Sequence, residues 1–504
     1  MKVALERSEY TSSFRGGTVV RGRLQTLVAT CAECIGEHPE IVLRQGELWD
    51  SLPEHLMEYV RNAARRNYSG DQGSNKQMQP VLLEKMFIMD GMEVLNLDDF
   101  TGVTNAFLYT IAGRLDPKIL TSVSIVNNQR ITGRPIAALL QGCVNLSYLN
   151  LKGCIKVKDE AFPDSVVKKL KQLVYVNVSF TQVGAKVLGN LYRHCTKLAT
   201  FKLANLKFGR DIKHIFPQPS ETLTSLKLRH CALSPGQLEY ILEIFPNLQT
   251  LDYSSSTAPT FRSIRALINM AHPSQLRKLN LSNCPYLSLT KPAELKSLFA
   301  IHSKLEHIYL TDVRIDLSTV IPEESFANFK TVFMPGMSLA TRILPTILKL
   351  AHNLTYLDLS RTGLGFNQRD YPESLVLNVP NLRTLSLEDT KVTDESAELI
   401  SKLHTLRSLF LRSTVISVEG MRVIVYACPW LDEVDLTGCR RIDLHQRRTL
   451  LPTLRNEFRE YLAKARERGE ILTDLDDLYN VKTVDNGHES QEALVRVTPR
   501  DDGS

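Results

Sequence analysis

A chain of 504 residues exceeds what one ordinary hydrophobic core supports, so it needs either several domains or an array in which each unit buries its apolar face against its neighbours. Hydrophobic residues make up 43% and charged residues 23% of it, which excludes wholesale disorder. The formal charge of +6, from 61 basic and 55 acidic side chains, lacks the clustered Lys and Arg of a nucleic-acid binder.

Residues 1–21 read as a flexible lead without the apolar stretch of a secretory signal, and no apolar run reaches the length of a membrane span. A cytoplasmic or nuclear address is expected. Nine cysteines, an odd number scattered over a long chain, argue against a disulfide framework. Residues 22–66 read as helical. Leu24, Leu27, Val28, Cys31 and Ile35 share one helical face that ends near His38 and Pro39. A second short helix follows Pro53, with Leu56, Met57 and Val60 on one side. Residues 67–90 are expected to be a linker and the entry to the repeats, with the run of polar and glycine residues from Asn67 to Gln79 as the linker or loop.

From 91 to 443 the sequence repeats itself. The pattern L-x-x-L-x-L-x-x-N/C is clearest at Leu146, Leu149, Leu151 and Cys154, and returns at Leu223, Leu226, Leu228 and Cys231. It returns again at Leu276, Leu279, Leu281 and Cys284, and at Leu431, Val434, Leu436 and Cys439, with looser copies between. Period-two alternation in L-x-L predicts a short strand with leucines inward, and Ile264, Leu267 and Ile268 show the helical period that follows. Thr393 and Ser417 stand where helix N-caps belong. One strand and one helix per unit, about fourteen times over, predict an α/β leucine-rich-repeat solenoid: a curved parallel sheet with outer helices and a helical N-terminal cap. The repeat cysteines read as small buried fillers. In residues 444–465, Leu450, Leu454, Phe458, Tyr461 and Leu462 predict a helix that covers the last repeat, and 466–504 read as a mobile polar tail.

These repeats resemble the cysteine-containing, ribonuclease-inhibitor-like type found in ubiquitin-ligase receptors. The segment Thr26-Leu27-Val28-Ala29-Thr30-Cys31-Ala32-Glu33-Cys34-Ile35 resembles an elongin C-binding box, and Leu52-Pro53-Glu54-His55-Leu56-Met57-Glu58-Tyr59-Val60 is similar to a cullin 2 box. Both boxes placed before such repeats resemble the ZYG/ZER group of cullin-ligase substrate receptors and, more loosely, the repeat protein of a yeast DNA-repair ligase. The resemblance implies that Leu27 anchors in a pocket of elongin C with Cys31 and Ile35 along the same groove. It implies that Leu52, Pro53, Leu56 and Val60 face a cullin. The armadillo-like region of that group has no counterpart here, so its degron specificity is not implied.

Outward strand positions are the candidates for client recognition. On the early and middle repeats they are Tyr148, Asn150, Lys152, Tyr175, Asn177, Lys202, Lys227, Arg229, Lys278 and Asn280, basic with interspersed aromatics. On the later repeats His307, Tyr309, Tyr356, Asp358, Glu388, Phe410, Arg412, Glu433 and Asp435 turn the charge acidic. Cys31, Cys34 and His38 have ligand-like spacing but no fourth ligand, so no metal is expected. No phosphate loop, zinc-protease pair or nucleophile elbow occurs, so neither cofactor nor catalysis is expected. The leading expectation is a ligase receptor. A protein-interaction scaffold whose N-terminal helices are only a cap, an F-box receptor opening at Leu52-Pro53, and a GTPase-activator-like regulator are the alternatives.

Overall fold

The computed structural model describes residues 78–467 except 101, 208–211, 232, 256–260, 270–274, 285–290, 338–339, 368, 370 and 372, together with scattered positions between 34 and 68. Fourteen three-residue strands form one parallel sheet in strict chain order. They are β1 (Val94–Asn96), β2 (Ser122–Ser124), β3 (Tyr148–Asn150), β4 (Tyr175–Asn177), β5 (Thr200–Lys202), β6 (Ser225–Lys227) and β7 (Thr250–Asp252). The sheet continues with β8 (Lys278–Asn280), β9 (His307–Tyr309), β10 (Thr331–Phe333), β11 (Tyr356–Asp358), β12 (Thr384–Ser386), β13 (Ser408–Phe410) and β14 (Glu433–Asp435). The chain is therefore an α/β leucine-rich-repeat solenoid. Pairing is in register, so that Leu226 stands opposite Phe201 and Leu251, and the middle residue of each strand joins one inward column.

Three local devices tie each repeat to the next. Three residues past every strand the backbone takes a positive φ, from Asp99 (63°) through Gly153 (76°) to Gly438 (79°). Asn, Asp and Ser fill many of these positions, as their tolerance of the left-handed region allows. Phe180 and Arg361 do not have that tolerance. Their conformation is imposed by the ladder, in which Phe180 N–H donates to Ala204 O and Arg361 N–H to Glu388 O, both at 2.8 Å. The N/C-position cysteines form the second device: the thiols of Cys154, Cys231 and Cys439 reach the carbonyls of Ile125, Leu203 and Leu411 in the preceding repeat at 3.0, 3.1 and 3.0 Å. Burial pushes Cys154 and Cys231 up to about 12, which keeps these thiols protonated donors. Third, an asparagine three residues before a strand donates to the previous repeat, as Asn145 does to Lys118 O (2.8 Å) and Asn353 to Ala327 O (2.8 Å).

The returns lie on the other side of the sheet. Most carry a helix of seven to eleven residues, such as Ala185–His194 or Ala340–Leu350. In four the α-helix is a single four-residue turn, and in two of these it begins directly after Pro163 or Pro322 and follows a short 3-10 helix, Asp159–Ala161 or Leu317–Thr319. The expected caps are in place: Ser417 Oγ accepts from Glu419 N–H at 3.2 Å, and Thr393 precedes the helix Asp394–Ile400.

Both ends of the array are covered. Past the run Asn67 to Gln79, at the entry to the repeats, the helix Pro80–Phe87 buries Leu82, Leu83, Met86 and Phe87, with Phe87 edge-on to Phe100 at 4.8 Å. Ile35, Val60 and Ala64 join the same continuous core, and Arg61 Nε donates to Met86 O at 2.7 Å. At the far end the helix Gln446–Glu467 buries Leu450, Leu454, Phe458 and Leu462. Tyr461, expected on that face, is 54% exposed. No helix among the described residues is long and apolar enough to cross a membrane.

Candidate protein-binding face

Because the returns occupy one side of the sheet, its other face is left to three outward residues per repeat: the first and last of each strand and the residue two further on. The register turns these into rows. One row runs Tyr148, Tyr175, Thr200, Ser225, Thr250, Lys278, His307, and the next runs Asn150, Asn177, Lys202, Lys227, Asp252, Asn280, Tyr309, Phe333, Asp358.

Part of the second row is committed to the backbone. Asn150 Oδ1 accepts from Lys152 N–H (3.3 Å), Asn177 from Ser179 (3.1 Å), Asn280 from Ser282 (3.0 Å) and Asp358 from Ser360 (2.9 Å), each closing an Asx turn. Asn150, expected to touch a client, is accordingly buried. The lysines have no such duty. Lys202 and Lys227 are neighbours on β5 and β6, and both amines are held below the usual lysine range, first by burial and then chiefly by other lysines among Lys152, Lys202, Lys227 and Lys278. Asp252, not anticipated as a site residue, is the one carboxylate of β3–β8 on these rows, and its Oδ1 already accepts from Ser254 Oγ at 2.6 Å.

The aromatics are arranged pairwise. Tyr148 and Tyr175 stack at 4.2 Å with 10° between planes, and Lys202 Nζ lies 4.5 Å from the Tyr175 ring centre while donating to Tyr175 Oη at 2.6 Å. On β8 and β9 the pattern returns: Lys278 Nζ sits 4.6 Å from the Tyr309 ring centre and donates to its hydroxyl at 3.0 Å. Tyr309 then continues through Phe333 (5.6 Å) to Tyr356 (6.2 Å). Phe333, beside the repeat centre Val332, was not among the residues expected on the face. The available signal was its register with Tyr309. Phe410, expected as a further anchor, lies three strands beyond Phe333 and makes no ring contact among the described residues.

The last strands are acidic. Burial raises the Asp358 carboxyl above its usual range, and burial, Asp435 and Asp358 do the same for Glu388, with Arg412 acting against them. Glu433 is exposed at the end of the row. Of the residues expected to dock a ligase, Leu27, Cys31, Leu52, Pro53 and Leu56 lie outside the described residues, whereas Ile35 and Val60 are 6% and 4% exposed.

A family model described as Leucine Rich repeat matches residues 380–401, which span β12 and the helix after it. Similar solved structures include a leucine-rich-repeat protein of Leptospira interrogans (17% identity over 75% of this chain and 92% of that one, TM-score 0.37). Others are a chain of the yeast Rad7 and Elc1 complex (15%, 87% and 87%, 0.41) and an internalin of Listeria monocytogenes (15%, 68% and 88%, 0.33). No curated protein sequence matches the chain. Fold and family model agree on the class, a leucine-rich-repeat protein.

Proposed function

We propose that this chain is the substrate receptor of an elongin C/cullin-type ubiquitin ligase and holds a protein client on the open face of its sheet. The observation that supports the binding half is the face itself, a continuous set of outward rows with aromatics, carboxylates and lysines that form no ion pair among the described residues. The ligase half rests on the two N-terminal boxes, in order, ahead of the repeats. Ile35 and Val60 already have apolar contacts within the chain. Docking therefore falls to Leu27 and Cys31 toward elongin C and to Leu52, Pro53 and Leu56 toward the cullin. The receptor's contribution to catalysis is proximity, which brings a client to a separate transferring enzyme.

A second reading, an interaction scaffold, is favoured by one observation: Arg61 donates to Met86 O of the helix Pro80–Phe87, and Val60 and Ala64 are buried in the same core as that helix, as an end cap would be. Co-purification of the full chain with elongin C separates the two. Intact protein should retain elongin C, and the Leu27→Asp, Cys31→Asp double variant should lose it with an unchanged melting temperature. Retention by the variant, or none by the intact chain, leaves the scaffold.

A further inference from the structure

On the outward rows from β3 to β8, Lys152, Lys202, Lys227, Arg229 and Lys278 stand against the single carboxylate of Asp252. None of these five cations forms an ion pair among the described residues, although cations elsewhere do, such as Arg277 and Lys330 on Glu306 and Arg342 on Asp316. At the other end, from β11 to β14, Asp358, Glu388, Glu433 and Asp435 share the outward rows with one cation, Arg412, while Arg361 in the turn after β11 also acts on Asp358. Both ends therefore carry an excess of one charge on the outward rows, and the two excesses are of opposite sign. Gathering like charges on a half-buried surface is unfavourable in the free protein: burial first and like-charged neighbours second lower the Lys227 amine and raise the Glu388 carboxyl. An occupant carrying the opposite charges relieves both.

The aromatics decide what kind of occupant fits. Tyr175 has Tyr148 stacked against it and Lys202 over its ring. Tyr309 is flanked by Lys278 and by Phe333. These ring faces are already in use, so they are poor platforms for nucleobases, which bind by face stacking. A long polyanion would also run from the lysines onto the carboxylates. A polypeptide meets neither obstacle, for it can change charge along its length and touch ring edges with apolar side chains.

We infer that the client segment on this face is an extended, bipolar stretch of protein, with a carboxylate run on Lys202, Lys227 and Lys278 and a basic run on Glu388, Glu433 and Asp435. This deepens the protein-binding half of the proposed function and rests on it. From β6 to β12, strand spacings of about 4.8 Å put the two runs about 29 Å apart, the reach of about nine extended residues. A large apolar residue midway falls on the aromatic cluster of Tyr309, Phe333 and Tyr356.

Fluorescence anisotropy of the full chain at low salt, with labelled synthetic peptides, tests this. The probe carries a block of glutamates, a neutral spacer of about nine residues with one central leucine, and a block of arginines. Its isomer has the same composition with the charges alternating, and a uridine oligoribonucleotide serves as the nucleic-acid control. The blocked peptide should bind about tenfold more tightly than its isomer and weaken with salt. Lys202→Glu with Lys227→Glu should cost about tenfold, as should Glu388→Lys with Glu433→Lys. Combining all four should restore binding, because the peptide can lie in the reverse direction. Lys202→Gln with Lys227→Gln should weaken binding less, which guards against a folding artefact in the reversals. Equal binding of blocked peptide and isomer overturns the bipolar assignment while leaving a protein-binding face. Tighter binding of the oligonucleotide than of the peptide overturns both.

Discussion

The inward and outward residues of the same strands obey different rules. Along the inward column Leu149, Val176, Phe201, Leu226, Leu251 and Leu279 exchange one apolar side chain for another and are all buried. Along the outward rows the chemistry passes from lysine to aromatic to carboxylate within the same sheet. Adjacent residues thus answer to separate demands: the inward one is constrained by packing against two neighbouring repeats, the outward one by whatever lies on the face. Repetition of the first leaves the second free to vary.

The largest effect that tests this separation comes from two residues next to each other. Leu226→Ala, at a fully buried site in the middle of β6, should cost about 3 kcal/mol and be seen as a lower denaturation midpoint. Lys227→Gln should change stability by about 0.5 kcal/mol or less. Its sign should be stabilising, because burial and neighbouring lysines disfavour the charged amine in the fold. The same variant should weaken the bipolar peptide. If Lys227→Gln destabilises as much as Leu226→Ala, the two faces are not separable.

A smaller effect sharpens the comparison at the turn after β10. Gly336 has φ +72°, and a Cβ there would stand 2.0 Å from Asp312 Oδ1 of the preceding repeat. Gly336→Ala should cost about 1–3 kcal/mol. Since Asp312, Arg361 and Asp389 hold the same conformation with side chains, the left-handed backbone alone does not explain that cost. Removing the obstruction with Asp312→Ala should recover a measurable part of it, a coupling that a double-mutant cycle in denaturant reads directly. Strict additivity would show that the steric contact between successive turns is immaterial.

How much of this could be read from residues alone follows the same division. The inward column was legible, because a leucine, valine or cysteine at fixed spacing has one physical interpretation, and Cys154, Cys231 and Cys439 sit where the pattern puts them. Phe180 and Arg361 in left-handed turns were not legible, since neither residue prefers that conformation and the ladder that enforces it joins residues more than twenty positions apart. On the outward rows the change of charge was visible, but the pairings were not. That Tyr175 lies between Tyr148 and Lys202, or that Phe333 bridges Tyr309 and Tyr356, depends on register across strands. Asn150 looked like a contact residue until its Oδ1 was found on its own turn. The four-residue helices after Pro163 and Pro322 likewise interrupt a periodicity that suggested a full helix in every return.

The smallest expected effect concerns Asp358, which belongs to both regimes: its Oδ1 accepts from Ser360 N–H as a turn element, while its charge adds to the acidic end of the face. Burial raises its folded titration above the unfolded one. The stability it contributes is then fully present in acid, below the unfolded carboxyl's titration, and is lost as the pH rises through the folded one. Asp358→Asn keeps the acceptor for Ser360 and removes the charge. Denaturation should therefore find the variant and the original chain equally stable below the carboxylate range. At neutral pH the variant should be the more stable by about 0.5–1 kcal/mol, while its affinity for the basic run of the bipolar peptide falls. A stability difference that is the same in acid and at neutral pH would mean that Asp358 carries no electrostatic penalty. The outward carboxylates would then be ordinary solvated groups, with no unfavourable charge for a client to relieve.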